Sequence, residues 1–143
     1  MFRKLMDFWR NFGRTTPSLS ARNLAGLDLG GANFAHADLR RAIFNGANLT
    51  GCNLDDADLR DADLSGAYLC SARLQRADLR GARLASSIFE DADLRGADLC
   101  GADFTDASFL GATLTATRFS VADLKRAPLN ETQRRSVKVI SPD

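Results

Sequence analysis

One histidine, His36, and three cysteines, Cys52, Cys70 and Cys100, are the side chains in this sequence best suited to nucleophilic or soft-metal chemistry. A zinc finger needs four such ligands in close pairs, whereas these cysteines stand 18 and 30 residues apart. His36 has no Cys or Ser arranged around it as a nucleophile–base motif. Neither a phosphate-binding glycine loop nor a nucleophile elbow occurs. No catalytic residue, metal ligand set or cofactor site is assigned, and the chain is expected not to be an enzyme.

Carboxylates are better ordered. Asp38, Asp58, Asp78 and Asp98 recur at a step of 20, and Arg40, Arg60 and Arg80 follow the first three of them by two residues. A bare column of carboxylates would attract cations. With arginines interleaved, the aspartates are expected to bond turn backbone and neighbouring guanidinium groups instead. The chemistry that remains open to this chain is recognition.

The elements that carry these residues follow from an internal repeat. From Leu24 to Leu129 every fifth residue is Leu or Phe, 22 positions in 22, and Ala stands two residues earlier in 17 of them. The exceptions are Arg22, Leu27, Cys52, Ser87 and Thr117. Asp or Asn often precedes the Leu or Phe, as in Ala37-Asp-Leu-Arg40. A period of five matches neither helix nor continuous strand. Positions two apart face the same way on an extended segment, so the Ala and the Leu share a side and the other residues must turn the chain. Glycine is frequent at the second turn position (Gly26, Gly31, Gly46, Gly51 and onward), where a positive φ is expected. Such units wind into a coil with Leu and Phe inside and parallel pairing between coils. The step-20 Asp and Arg columns favour four units per coil, while Phe89, Phe104 and Phe119 recur at 15, the spacing of three.

Residues 20–129 resemble the pentapeptide-repeat family, whose pattern is A(D/N)LXX. The resemblance implies an all-β solenoid, a right-handed quadrilateral β-helix with four units per coil. It assigns residues 19–129 to the β-helix, 1–18 to a short amphipathic N-terminal helix and joint that caps it, and 130–143 to a short C-terminal helix/strand cap or dimer contact. Phe2, Leu5, Met6, Trp9 and Phe12 lie near helical spacing among Arg3, Lys4 and Arg10. That segment is expected to lie over the first coil, with a membrane surface or another chain as alternative targets. At the other end, Asn130 and Gln133 have capping-box spacing, and Val137-Lys-Val-Ile140 alternates like a strand.

On a four-sided coil the outward residues sort into faces. One face holds Asp28, Glu90, Asp91 and Glu131 with no Lys or Arg, and it also carries Tyr68, Ile88 and Leu110. Stacked outward apolar groups beside acid mark a partner surface, so Tyr68, Ile88, Glu90, Asp91 and Leu110 are the candidate contact residues. Cys70 and Cys100 fall on opposite sides and are not expected to pair. Cys52 replaces an inward Ala and is expected in the core.

Composition sets the outer bounds. The 143 residues suit one domain, and the formal net charge is +1. That sum hides a division: residues 23–131 carry −5, residues 1–22 carry +4 and residues 132–143 carry +2. No apolar run approaches a membrane span, and charges interrupt the first ten residues too often for a secretory signal. Three unpaired cysteines suit a reducing compartment, and the resemblance implies the bacterial cytoplasm. The expected function is a non-catalytic protein-interaction module: no cofactor, no direct nucleic-acid binding, no membrane contact, and a homodimer through the C-terminal end. The alternative that the resemblance raises is a DNA-mimicking inhibitor or protector of DNA gyrase or topoisomerase IV, which asks for a long acidic rod.

Overall fold

A computed structural model of the chain describes residues 18–141. The N-terminal helix expected over residues 2–12 lies outside them.

From Ser18 to Arg118 each extended segment pairs in parallel with the segment 20 residues further on: Ser18 with Asp38, Asp38 with Asp58, and so to Asp98 with Arg118. One coil is therefore four five-residue units, which decides the choice between three and four. The bonding is the same at each level. Leu59 N–H donates to Asp78 O at 2.8 Å, Asp78 N–H returns to Ala57 O at 2.9 Å, and Ala62 N–H closes the turn on Leu59 O at 3.0 Å. Neighbouring coils thus satisfy each other's backbone, and the turns satisfy their own.

The turns explain the sequence rule. Every turn residue at the second position, from Ala21 to Ala116, has φ between +55° and +73°. Nine of these are glycine; the others are Ala, Arg, Asp, Ser and His36. None is β-branched, the side-chain class that tolerates this conformation least.

Leu and Phe fill the axis and the small residues line the corners. Leu39, Phe44, Leu49, Leu54 and their successors as far as Leu99 are completely buried. Phe89 and Phe109 stack at 5.1 Å between ring centroids, one coil apart. Where Cys, Ser or Thr replaces Ala, the substitute is buried and bonded. Cys52 Sγ donates to Leu29 O at 3.0 Å, Ser87 Oγ to Leu84 O at 2.5 Å, and Thr117 Oγ1 to Leu94 O at 2.8 Å. Burial pushes the Cys52 thiol up to about 11, so it behaves as a small neutral core residue.

The coil ends earlier than the repeat in the sequence. Leu124 and Leu129 keep the five-residue phase, yet the regular coil stops at Ser120 and not at 129. Strand β1 (Arg118–Ser120) leads into helix α1 (Val121–Arg126), then helix α2 (Glu131–Ser136) and strand β2 (Lys138–Ile140). The cause is Val121. It holds the position that takes positive φ in every coil below, and a β-branched side chain there is strongly disfavoured. Ser120 instead caps a helix, accepting from Asp123 N–H. Leu129 and Ala127 are nevertheless buried, so the in-phase apolar residues still cover the column, from the connection between the two helices.

The capping box is present at α2: Asn130 accepts from Gln133 N–H and Gln133 accepts from Asn130 N–H. Strand β2 then pairs with β1, and its register, Arg118 with Lys138 to Ser120 with Ile140, is again 20. Two helices have replaced three sides of a coil without losing count.

Candidate functional site

Four faces run up the column, and their charges are handled differently. On the face of Leu39, Leu59 and Leu79, each arginine grips the aspartate two residues before it, and Arg40 and Arg60 also approach the one above. Arg60 lies 2.6 Å from Asp58 and 3.7 Å from Asp78, and Arg40 lies 2.8 Å from Asp38 and 3.7 Å from Asp58. Hydrogen bonds from these arginines hold the Asp38 and Asp58 carboxyls below the usual carboxylate range. The aspartate column is thus an ion-pair ladder, bonded to neighbouring guanidinium groups as expected from its interleaved arginines. Among the described residues no group of His, Cys, Asp and Glu is placed to hold a metal ion.

A second ladder occupies the face of Leu54, Leu74 and Leu94. Arg95 grips Asp93 at 2.6 Å, Arg76 grips Asp56 at 2.7 Å, and Arg73 reaches Asp55. The Arg95 hydrogen bonds hold Asp93 down to about 2 against the opposing effect of its partial burial. Asp55 is buried and also accepts from Gln75 N–H at 2.9 Å. Sequence reading missed this acid; the signal was Asp55-Asp56 with arginines at Arg73 and Arg76, one coil later. His36 stands at the turn below Asp56, 3.9 Å from its carboxylate and largely exposed.

The face carrying Leu29, Leu49, Leu69, Phe89 and Phe109 has no ladder. Tyr68 pairs directly with Ile88, and Ile88 with Ser108, so their side chains stack in one outward column. Tyr68 is 49% exposed, Ile88 is half-buried one coil above it, and Leu110 is 70% exposed. Backbone bonds fix the neighbouring columns: Ser71 N–H to Glu90 O at 2.8 Å and Asp91 N–H to Leu110 O at 2.9 Å. Glu90 and Asp91 are exposed and make no ion pair among the described residues. Tyr68, Ile88, Glu90, Asp91 and Leu110 therefore lie together on one face, across three successive coils. Glu131, counted with them from sequence, opens α2 and pairs with Arg135 at 2.7 Å, so its charge is offset. The stacked Phe89 and Phe109 rings lie directly behind this face and make it a rigid wall.

Two further apolar exposures escaped the sequence reading. Ile43 is 37% exposed on the next face, stacked between Asn23 and Asp63. At the C-terminal end a shallow apolar cleft of about 680 Å³ is bounded by Cys100, Val121, Ala122 and Ile140. Its existence follows from the helical exit at Val121, which the repeat phase concealed. Cys70 and Cys100 are both free thiols. Burial, with Asp98 alongside, pushes Cys100 up to about 11, far from a reactive thiolate.

The family model for pentapeptide repeats matches eight copies between residues 19 and 120, and the matched span ends where the coil does. The chain belongs to the pentapeptide-repeat family. Among solved structures it is similar to HetL, a pentapeptide-repeat protein involved in heterocyst differentiation regulation from the cyanobacterium Nostoc sp. strain PCC 7120. The two are 31% identical with a TM-score of 0.55, over 84% of this chain and 51% of HetL. The chain therefore spans about half the length of that relative. A pentapeptide-repeat protein from the Arabidopsis thaliana thylakoid lumen is 33% identical over 82% of this chain and 72% of that one, with a TM-score of 0.40. QnrB1, a plasmid-mediated fluoroquinolone resistance protein, is 20% identical over 85% of this chain and 80% of that one, with a TM-score of 0.34. Among curated proteins none matches. No helix among the described residues is long and apolar enough to cross a membrane.

Proposed function

We propose that this pentapeptide-repeat chain is a non-catalytic interaction module that binds a protein partner through the face of Tyr68, Ile88, Glu90, Asp91 and Leu110. One observation carries the reading. Two faces neutralise their carboxylates with arginine ladders, while this one keeps its acids free beside stacked apolar side chains. The complementary partner offers apolar side chains flanked by Lys or Arg. Its contact needs no cofactor, and rigid backing from Phe89 and Phe109 limits the ordering cost of binding.

The test is affinity capture with the purified chain, comparing wild type, Ile88→Asp and Arg83→Ala, the last lying on a different face. A partner retained by wild type and Arg83→Ala but lost by Ile88→Asp supports the reading. Retention of every partner by Ile88→Asp removes it.

The DNA-mimic alternative requires arrays of unpaired carboxylates that stand in for phosphates. Ion pairing of Asp38, Asp58, Asp78 and Asp93 breaks up the acidic columns, and Glu90 and Asp91 form a short patch rather than an array. A gyrase supercoiling assay with and without quinolone tests it, and inhibition or protection abolished by Glu90→Gln/Asp91→Asn would favour it over the general module. For the homodimer expected through the C-terminal end, the apolar cleft at Val121 and Ile140 is the surface a second copy would use, and sedimentation of Val121→Asp against wild type is the check.

A further inference from the structure

The C-terminal end of the column complements the acidic face in both polarity and charge. Its cleft is lined by Val121, Ala122 and Ile140 together with Lys125 and Arg126. Val121 is 42% exposed, and Lys125 and Arg126 are exposed beside it. Lys138 stands two residues before Ile140 on β2, so both side chains leave the same side of the strand. Beyond Ser120 the described chain holds five cations, Lys125, Arg126, Arg134, Arg135 and Lys138, against two acids, Asp123 and Glu131. Both acids are already paired, Asp123 with Arg126 at 2.9 Å and Glu131 with Arg135 at 2.7 Å. Lys125 and Lys138 make no ion pair among the described residues.

Resting on the reading of the acidic face as an interaction surface, we propose that its partner is a second copy of this chain, docked through the C-terminal cleft. Tyr68, Ile88 and Leu110 of one copy meet Val121 and Ile140 of the other, and Glu90 and Asp91 meet Lys125 and Lys138. The complement that the face calls for, apolar side chains flanked by cations, is what the cleft presents. Like surfaces repel. Two clefts would bring Lys125 and Lys138 of both copies together, and two acidic faces would set Glu90 and Asp91 against themselves. Cys100, at the cleft, and Leu110, on the acidic face, are ten residues apart, half of a 20-residue coil, so the two surfaces look out from opposite corners of the column. A copy held by its cleft therefore keeps its own acidic face free for the next. The contact is heterologous and adds copies in series, unlike a two-fold dimer, which uses up the same patch on both partners.

Sedimentation of the full chain at low salt over a wide concentration range tests this, with Ile88→Asp, Ile140→Asp and their equimolar mixture. Both variants keep the fold. Asp78 and Asp93 hold the position of Ile88 in their own units, and Ile140 continues the column of Arg80, Cys100 and Ser120, so polar side chains suit both places. Wild type is expected to grow in mass with concentration past that of a dimer. Each variant alone, lacking one of the two surfaces, is expected to associate at least about tenfold more weakly. The mixture is expected to form a one-to-one complex and stop there, because Ile88→Asp supplies an intact cleft and Ile140→Asp an intact face. A wild type that stays monomeric overturns the proposal; if Ile88→Asp still loses a captured foreign protein in that case, the interaction face stands without self-docking. A dimer abolished by Ile140→Asp and untouched by Ile88→Asp overturns it in favour of a two-fold contact between ends. A mixture no more associated than either variant alone overturns it as well. Self-association and foreign capture both unchanged in Ile88→Asp remove the self-docking and the interaction face together.

Discussion

Asp91 lays its carboxylate over Gly111, one coil above, and fills the space that a β-carbon on Gly111 would need. Asp61 stands in the same relation to Gly81, where a β-carbon would lie 2.5 Å from Asp61 Oδ1. At these two levels the aspartate occupies the room a side chain on the next turn would need, whereas Asp56 admits Arg76 above it by pairing with its guanidinium. At Gly51, by contrast, the space is open. The turn conformation itself admits alanine, as Ala21 and Ala116 show with φ of 57° and 59°.

Gly51→Ala is therefore expected to cost about 1 kcal/mol, the ordinary price of a left-handed alanine. Gly111→Ala should cost about 1–3 kcal/mol more, because Asp91 must move. Urea denaturation measures both, and Asp91→Ala in the Gly111→Ala background should recover the excess. Equal costs at the two glycines would show that Asp91 rotates away freely. In that case the acidic face is not held in place by packing against the next turn.

Leu110→Asp is expected to leave urea stability within about 0.5 kcal/mol of wild type, since the side chain is largely exposed and supports nothing beneath it. Partner capture should fall along with that of Ile88→Asp. Loss of stability comparable to a core truncation, such as Leu69→Ala at about 2–5 kcal/mol, would mean that Leu110 packs against something in the intact molecule.

The coil was legible in the sequence because one requirement, an axial Leu or Phe every fifth residue, repeats without a gap from Leu24 to Leu129. Its end was not legible from that requirement, since Leu124 obeys it from a helix and Leu129 from the connection that follows. The information sat at a different position, in Val121, whose β-branched side chain cannot take the turn. Tyr68, Ile88, Glu90, Asp91 and Leu110 could be grouped from numbering alone because the coil length is constant. The ion-pair ladders could not be weighed that way: whether Arg60 bonds Asp58, Asp78 or solvent depends on side-chain reach.

Stability should depend on acid through Asp93. Arg95 holds its folded pKa at about 2, below the unfolded value near 3.8. A depressed carboxylate contributes above the unfolded pKa and loses that contribution as pH falls through the folded one. Wild type is therefore expected to exceed Asp93→Asn by about 1 kcal/mol near pH 5, after allowance for solvent screening of a pair at the surface. The difference should shrink steadily between pH 4 and pH 2. Urea midpoints for the two proteins across that range decide it, and a constant difference would mean that the amide loses shape rather than charge.

Asp123 closes the C-terminal end by standing in for a missing coil. In lower coils the turn amide donates to a carbonyl of the next level, as Gly81 N–H does to Cys100 O at 3.3 Å. Gly101 N–H donates instead to the Asp123 carboxylate at 2.8 Å. The same carboxylate accepts from Ser120 Oγ at 2.5 Å and from Arg126 at 2.9 Å. Burial alone would raise its pKa, but these donors outweigh burial and keep it below the usual range. Asp123→Ala removes one acceptor from three donors, and is expected to cost about 2–3 kcal/mol in urea denaturation. Asp123→Asn, which keeps one acceptor oxygen, should cost less. Amide hydrogen exchange gives the local check: protection at Gly101 should drop in Asp123→Ala while Gly81 keeps its own. If both amides remain protected, the helices cover the last coil by apolar contact from Leu124 and Leu129, and the carboxylate is dispensable to it.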